Sequence, residues 1–133
     1  MQKPLPIATP TSKPFWDGLR QRKVRLQRCL DCARLIHYPR ANCPSCLGDR
    51  LEWLEVPGTG ILYTFTIARR PTAPQFRDEV PQRIAVVELD EGPRLTTTLV
   101  NVHDADIRIG MRLKPVFEDV AGTDVTLLRY EPA

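Results

Sequence analysis

Four cysteines fall within eighteen residues of this 133-residue chain, and they fall in pairs: Cys29-x-x-Cys32 and Cys43-x-x-Cys46, with ten residues between. No other feature constrains the fold as strongly. A disulfide reading fails on two counts. Nothing in the sequence directs the chain to an oxidising compartment, and a bridge across two intervening residues closes a tiny, strained loop. A redox pair normally occurs once, at a helix start after a strand. Zinc accounts for the spacing directly. Each two-residue spacer curls the backbone into a knuckle, and two knuckles supply a tetrahedron of thiolates at about 2.3 Å from the ion. Pro44 and Asp31 suit the two turns. Four cysteine ligands leave no open position, so the expected cofactor is a structural Zn²⁺ held by Cys29, Cys32, Cys43 and Cys46; the same cage also suits iron. His37 lies between the pairs, in "LIHY", and reads as a short strand rather than a fifth ligand.

Around this cluster the chain divides into three. Residues 1–13, with Pro4, Pro6 and Pro10, read as an extended arm, either disordered or laid along a partner. Residues 14–57 read as a short helix and a rubredoxin-like zinc ribbon. Ser12 is positioned to cap the helix, with Pro14 in its first turn. Phe15, Trp16 and Leu19 share one side, and Gly18 weakens the helix by roughly 1 kcal/mol relative to alanine. "KVRLQRC" and "EWLEV" are the strands entering and leaving the knuckles.

After "PGTG" the composition turns to strand signals. "GILYTFTIA", "RIAVVELD", "RLTTTLVN", "RLKPVFED" and "DVTLLRYE" are five short strands with tight turns at "EGP" and "AGT". The expected fold is mainly β, with residues 58–133 forming a five-stranded OB-fold barrel. Alternation places Ile61, Tyr63, Phe65 and Ile67 on one face, read as core. Pro115 implies an edge or bulge in the fourth strand. The irregular stretch 69–81 would border the binding face.

Charge narrows the function classes. The net charge is +3, distributed as ten Lys/Arg against five Asp/Glu in residues 1–57 and nine against eleven thereafter. The basic excess clusters in "RQRKVRLQR", residues 20–28, where an anionic small molecule or an acidic protein surface could sit. A single-strand nucleic-acid reader needs stacking aromatics on its sheet. The second and third barrel strands contain none, so no nucleic-acid partner is expected. The N-terminus has no continuous apolar segment, and no apolar run approaches a membrane span, so the expectation is a cytoplasmic chain without a membrane partner. Nucleophile-elbow, zinc-protease, phosphate-loop and dinucleotide motifs are absent. His103 with Asp104 and Asp106 reads as a loop, and Glu88, Asp90 and Glu91 as a solvated turn. No catalytic residues are expected in this chain.

The segments "FWDGL", "RCLDCARLIHYPRANCPSC", "EWLEVPGTGILYTFT", "VPQRIAVVELDEGPRL" and "IGM" together resemble one family, over nearly all of the chain from Phe15 onward. These are the zinc-ribbon/OB-fold proteins associated with acyl-CoA metabolism, long known as a domain of unknown function. The resemblance implies a non-catalytic accessory subunit of a thiolase-superfamily enzyme: a thiolase, an acyltransferase, or a CoA-thioester aldolase of the kind that shortens steroid side chains or acts in related lipid or aromatic degradation. Closed two-fold symmetry, the usual solution for such enzymes, makes two copies of each chain the expected count, with acyl-CoA at or near the interface. On this reading the basic candidates for CoA are Arg69 and Arg70, or Arg20, Arg22, Lys23 and Arg25. The candidates for the partner interface are Phe15 and Trp16, with Asp78, Glu79 and Val80 as a second patch. The competing reading is a stand-alone module that binds a CoA ester or an acyl carrier.

Overall fold

A computed structural model describes residues 3–133. Met1 and Gln2 of the expected arm lie outside the described residues. Helix α1 (Lys13–Arg20) comes first. A three-stranded antiparallel sheet follows: β1 (Val24–Cys29), β2 (Leu35–Ile36) and β3 (Leu51–Val56), in the order β2-β1-β3. A second sheet holds β4 (Gly60–Ala68), β5 (Gln82–Leu89), β6 (Arg94–Thr98), β7 (Arg112–Asp119) and β8 (Thr126–Pro132), in the order β6-β5-β4-β7-β8. Its two edge strands meet at a parallel bridge between Leu99 and Tyr130, where the Val100 N–H donates to the Tyr130 carbonyl at 2.9 Å. The result is the ribbon followed by the five-stranded barrel that the strand pattern predicts. Among the described residues no helix is long and apolar enough to cross a membrane.

Helix α1 starts differently from the expectation. Ser12 occupies the N-cap position, but its hydroxyl makes no bond into the helix. It accepts instead from the Thr9 N–H at 2.9 Å, so the two residues close a turn of their own. Phe15 and Leu19 are buried and Trp16 is half-buried. The helix thus docks on its own protein through the side that carries the aromatic pair. A Cβ on Gly18 would meet the Arg25 side chain at 3.0 Å and the Lys23 carbonyl at 3.1 Å. A side chain there would press on the chain where it doubles back against the helix.

The barrel core contains Leu62, Ala85, Val87, Leu89, Leu95, Leu99, Ile107, Leu113 and Tyr130, joined by Leu26 from the ribbon strand β1. One core continuous across both sheets couples their packing, since burying each such side chain contributes roughly 1.5–3 kcal/mol.

The expected core face of β4 needs correction. Leu62 pairs with Val87 and Thr64 with Val86, so the register slips by one at Tyr63. Such a bulge reverses the in–out alternation. Leu62 is therefore inside before it, and Phe65 packs against the core after it. Tyr63 is 45% exposed, and the Arg94 guanidinium lies 3.8 Å from its ring centroid. Pro115 conforms to expectation. β7 pairs with β4 only through Arg112 and Leu113, then continues against β8 alone. The strand is locally an edge where the proline removes a donor.

The proline-rich arm lies along its own barrel. Lys3 reaches Glu79 at 3.1 Å, and Lys3–Pro6 flank a groove shared with Phe76, Leu127 and the β7–β8 turn. The segment 69–81 is less irregular than its sequence suggests, since Pro74–Glu79 form a 3-10 turn.

Candidate functional site

The cysteines are brought together by two copies of one backbone device, fourteen residues apart. In the first knuckle the Ala33 N–H donates to the Cys29 carbonyl at 2.8 Å, and the Cys29 N–H to the Arg34 carbonyl at 2.9 Å. In the second the Leu47 N–H donates to the Cys43 carbonyl at 2.9 Å, and the Cys43 N–H to the Gly48 carbonyl at 2.8 Å. Both turns close through a non-glycine residue in the left-handed region, Ala33 at φ 66° and Leu47 at φ 64°. That conformation costs an L-residue roughly 1–2 kcal/mol, and the chain adopts it twice to aim two sulfurs at one point.

The four Sγ atoms all lie within 4.8 Å of one another. Cys29 and Cys46 approach to 3.5 Å, and Cys32 and Cys43 to 3.6 Å. A tetrahedron with metal–sulfur bonds of about 2.3 Å has edges of about 3.8 Å, whereas a disulfide requires about 2.05 Å. The sulfurs therefore fit a four-coordinate ion and are not bonded to each other. Cys29 and Cys43 are buried, and Cys32 and Cys46 face outward. The Cys46 N–H, and after it the Ser45 N–H, lower the Cys43 thiol to about 7. For Cys46 the Gly48 N–H favours the thiolate, but the crowding of the other three sulfurs outweighs it and pushes the thiol up to about 12. Four thiolates this close require a cation between them.

Polar contacts around the cysteines tie the knuckles together. Asp31, expected only to favour a turn, accepts two hydrogen bonds from Arg50, with the Nε–Oδ1 distance at 3.0 Å. A Cβ on Gly48 would sit 2.6 Å from Asp31 Oδ2 and 3.3 Å from Cys46 Sγ, so that position admits only glycine without a shift. Arg34 donates to Ser45 Oγ at 2.5 Å, from the first knuckle to the second. The Gln27 side chain, buried within β1, donates to the Arg40 carbonyl at 2.9 Å and accepts from the Arg40 N–H at 2.8 Å. That amide pins the inter-cysteine loop to the sheet. Sequence reading missed Gln27, Arg50 and Gly48. The available signal was the fourteen-residue offset, which makes Gly48 the counterpart of Arg34. His37 stands outside the sulfur cluster, its ring 5.2 Å from Phe15 and 4.2 Å from Tyr38.

The other predicted residues lie outside the cysteine cluster. In the basic run, Arg20 pairs with Asp17 and Asp124, Arg22 with Asp119, and Lys23 with Glu55. Arg25 donates to the Pro14 carbonyl and to Gln21. Arg69 and Arg70 are exposed at the end of β4, with no ion-pair partner among the described residues. Asp78, Glu79 and Val80 close the 3-10 turn, beside the groove that the arm covers. Asp104 is paired with Arg83 at 2.5 Å, and Asp90 with Arg112 at 2.7 and 2.8 Å, so both acids are occupied in ion pairs.

Comparison with known proteins agrees with this geometry. The family model "ChsH2, rubredoxin-like zinc ribbon domain" matches residues 16–52, and "ChsH2, C-terminal OB-fold domain" matches residues 53–118. A "DUF35 domain-containing scaffold protein" of Methanothermobacter thermautotrophicus is 33% identical over 107 residues, covering 79% of this chain and 80% of the relative. A "Probable enoyl-CoA hydratase alpha subunit" of Thermomonospora curvata is 39% identical over 122 residues, 90% of this chain but 37% of the relative, so the chain spans little more than a third of that protein. Among solved structures, a chain of the "Ltp2-ChsH2(DUF35) aldolase" superposes with a TM-score of 0.84 at 34% identity, covering 96% of this chain and 98% of that one. A DUF35 protein of Sulfolobus solfataricus, at 19% identity and a TM-score of 0.64, shares the fold. The matched zinc-ribbon domain brings Cys29, Cys32, Cys43 and Cys46 together in an arrangement consistent with a structural zinc, and the chain belongs to the DUF35 family, a ChsH2-type zinc ribbon joined to an OB-fold.

Proposed function

We propose that this chain is the accessory subunit of an enzyme acting on CoA thioesters, and that its partner is a thiolase-superfamily enzyme of the thiolase, acyltransferase or aldolase type. The observation that carries this reading is the likeness, across 98% of its length, to the ChsH2(DUF35) chain of an aldolase. The names of two further relatives support the thioester: the enoyl-CoA hydratase subunit, and a 3-oxo-4,17-pregnadiene-20-carboxyl-CoA hydratase alpha subunit of Mycobacterium tuberculosis, 31% identical over 121 residues. The chain covers only 36% of the latter. Steroid side-chain or related lipid substrates follow as the proposed class. The zinc orders the ribbon, a closed role that leaves the chemistry to the partner.

Arg69 and Arg70 are the proposed contacts for the phosphates of CoA. They have no ion-pair partner among the described residues, whereas Arg20, Arg22 and Lys23 already face carboxylates. The proposed partner surface includes the exposed edge of Trp16 and the Asp78–Val80 turn. The assembly proposed is two copies of each chain, since closed two-fold symmetry is the commonest solution. Co-expression with a candidate thiolase-superfamily enzyme from the same organism, followed by size exclusion, tests the assembly. A stable hetero-oligomer that Trp16→Ala weakens is expected. A lone monomer that binds a CoA ester unaided would replace this reading with the stand-alone module.

A further inference from the structure

A half-open cleft of about 440 Å³ lies where helix, ribbon and barrel meet. Phe15 and Trp16 line it from α1, His37 and Tyr38 from the turn after β2, and Leu95 and Leu128 from the barrel. Its position follows from the topology. Among the described residues, β6 and β8 touch as strands only at the Leu99–Tyr130 bridge, so the seam beside Leu95 and Leu128 is not zipped by a ladder. The volume is in the range of small-molecule sites, which favour junctions between modules.

The walls specify the occupant. Phe15 and Trp16 meet edge to face at 5.2 Å, Phe15 and His37 are 5.2 Å apart, and His37 and Tyr38 are 4.2 Å apart. Four rings in sequence offer faces and edges suited to another ring. Among the described residues no unpaired charge borders the space. Arg129 donates to Glu118 at 2.8 Å and to Thr98 at 3.3 Å, and burial lowers His37 to about 4, so its imidazole is neutral. The Tyr38 hydroxyl accepts from the Thr96 N–H at 3.3 Å. The His37 ring makes no hydrogen bond among the described residues, so it is available to a ligand, beside the Tyr38 hydroxyl and the Thr96 and Thr97 side chains that also line the cleft.

We propose that this cleft binds an uncharged, ring-bearing small molecule of one or two fused rings with a single hydroxyl or keto group, stacked among Phe15, Trp16 and Tyr38 and hydrogen-bonded to His37. The site is contained within this chain and does not rest on the accessory-subunit reading. A CoA phosphate is excluded from it, because burying an anion here would leave the charge without a partner.

The probe is 2-naphthol, titrated into the zinc-loaded chain carrying Trp53→Phe, so that Trp16 alone reports. Calorimetry on the unsubstituted chain provides the second measurement. Saturable quenching with a dissociation constant of about 1 mM or tighter is expected for a ligand of this size. Thr96→Phe, which fills the cleft from its rim, should weaken binding about tenfold with zinc content unchanged. 2-Naphthoate, with the same rings and a carboxylate, should bind about tenfold more weakly, as expected where a charge is buried unpaired. Absence of saturable binding by both methods, equal binding to Thr96→Phe, or equal binding of the carboxylate would each overturn the proposal.

Discussion

The Tyr130 hydroxyl, inside the barrel core, donates a 2.7 Å hydrogen bond to the carbonyl of Gly58, 72 residues earlier in the linker that leaves the ribbon. The last strand thereby fixes the point at which the two sheets join. Burial raises the phenol pKa, with a further push from the Glu91 charge, so the proton remains on the donor. Tyr130→Phe keeps the ring and leaves the Gly58 carbonyl unpaired. The expected cost is about 1–3 kcal/mol of stability, read as a lower urea midpoint with zinc content unchanged.

One zinc per chain is expected in freshly purified protein by metal analysis. Cys32→Ser should unfold the ribbon and leave the barrel at least partly ordered, because the metal's binding energy is folding energy for the ribbon. Gly48→Ala leaves all four ligands in place and forces Asp31 away from Arg50. By analogy with other outer-shell changes, zinc affinity should fall about 10–100-fold, measured by competition with a chromophoric chelator.

Gln27 makes a separate prediction. Its amide satisfies both the N–H and the carbonyl of Arg40 in a buried setting. Gln27→Leu would fill the volume but strand two backbone groups. Hydrogen exchange across residues 38–42 should speed up, while exchange in β5 stays as it was.

Asp90 gives the barrel an acid limit. Arg112, with the Thr59 hydroxyl, holds its carboxyl at about 2, below the ordinary 3.8. A carboxylate depressed on folding contributes stability that is present above the unfolded pKa and lost as pH falls through the folded one. The contribution should therefore hold above about pH 4 and disappear toward pH 2. The difference in urea midpoint between the parent and Asp90→Asn should close over that window, and a constant difference would contradict this cause.

Much of this was legible in the sequence, for identifiable reasons. Paired C-x-x-C spacing leaves a tetrahedral ion few alternatives, and five strand signals separated by turn residues leave few topologies. Tyr63 was misplaced because a bulge is an event in pairing, and the alternation of "GILYTFTIA" contains no sign of it. The basic run around Arg22 looked available for a ligand because its counter-charges come from distant residues, with Asp119 lying 97 positions away. The arm read as disordered or laid along a partner for a similar reason, since its contact is Glu79 in another segment of its own chain. Local pattern reports which residues can form an element. It does not report which charges the folded chain will bring against them.

The proposed role of this chain is that of a subunit serving a CoA-thioester enzyme. The direct measurement is the activity of the thiolase-superfamily enzyme that co-purifies with this chain, assayed alone, with this chain, and with its Arg69→Glu/Arg70→Glu form. Low activity alone, restoration by the zinc-loaded chain, and a raised KM for the CoA ester with the doubly substituted form are expected. Full activity of the enzyme alone, with no complex formed on adding the chain, would contradict it.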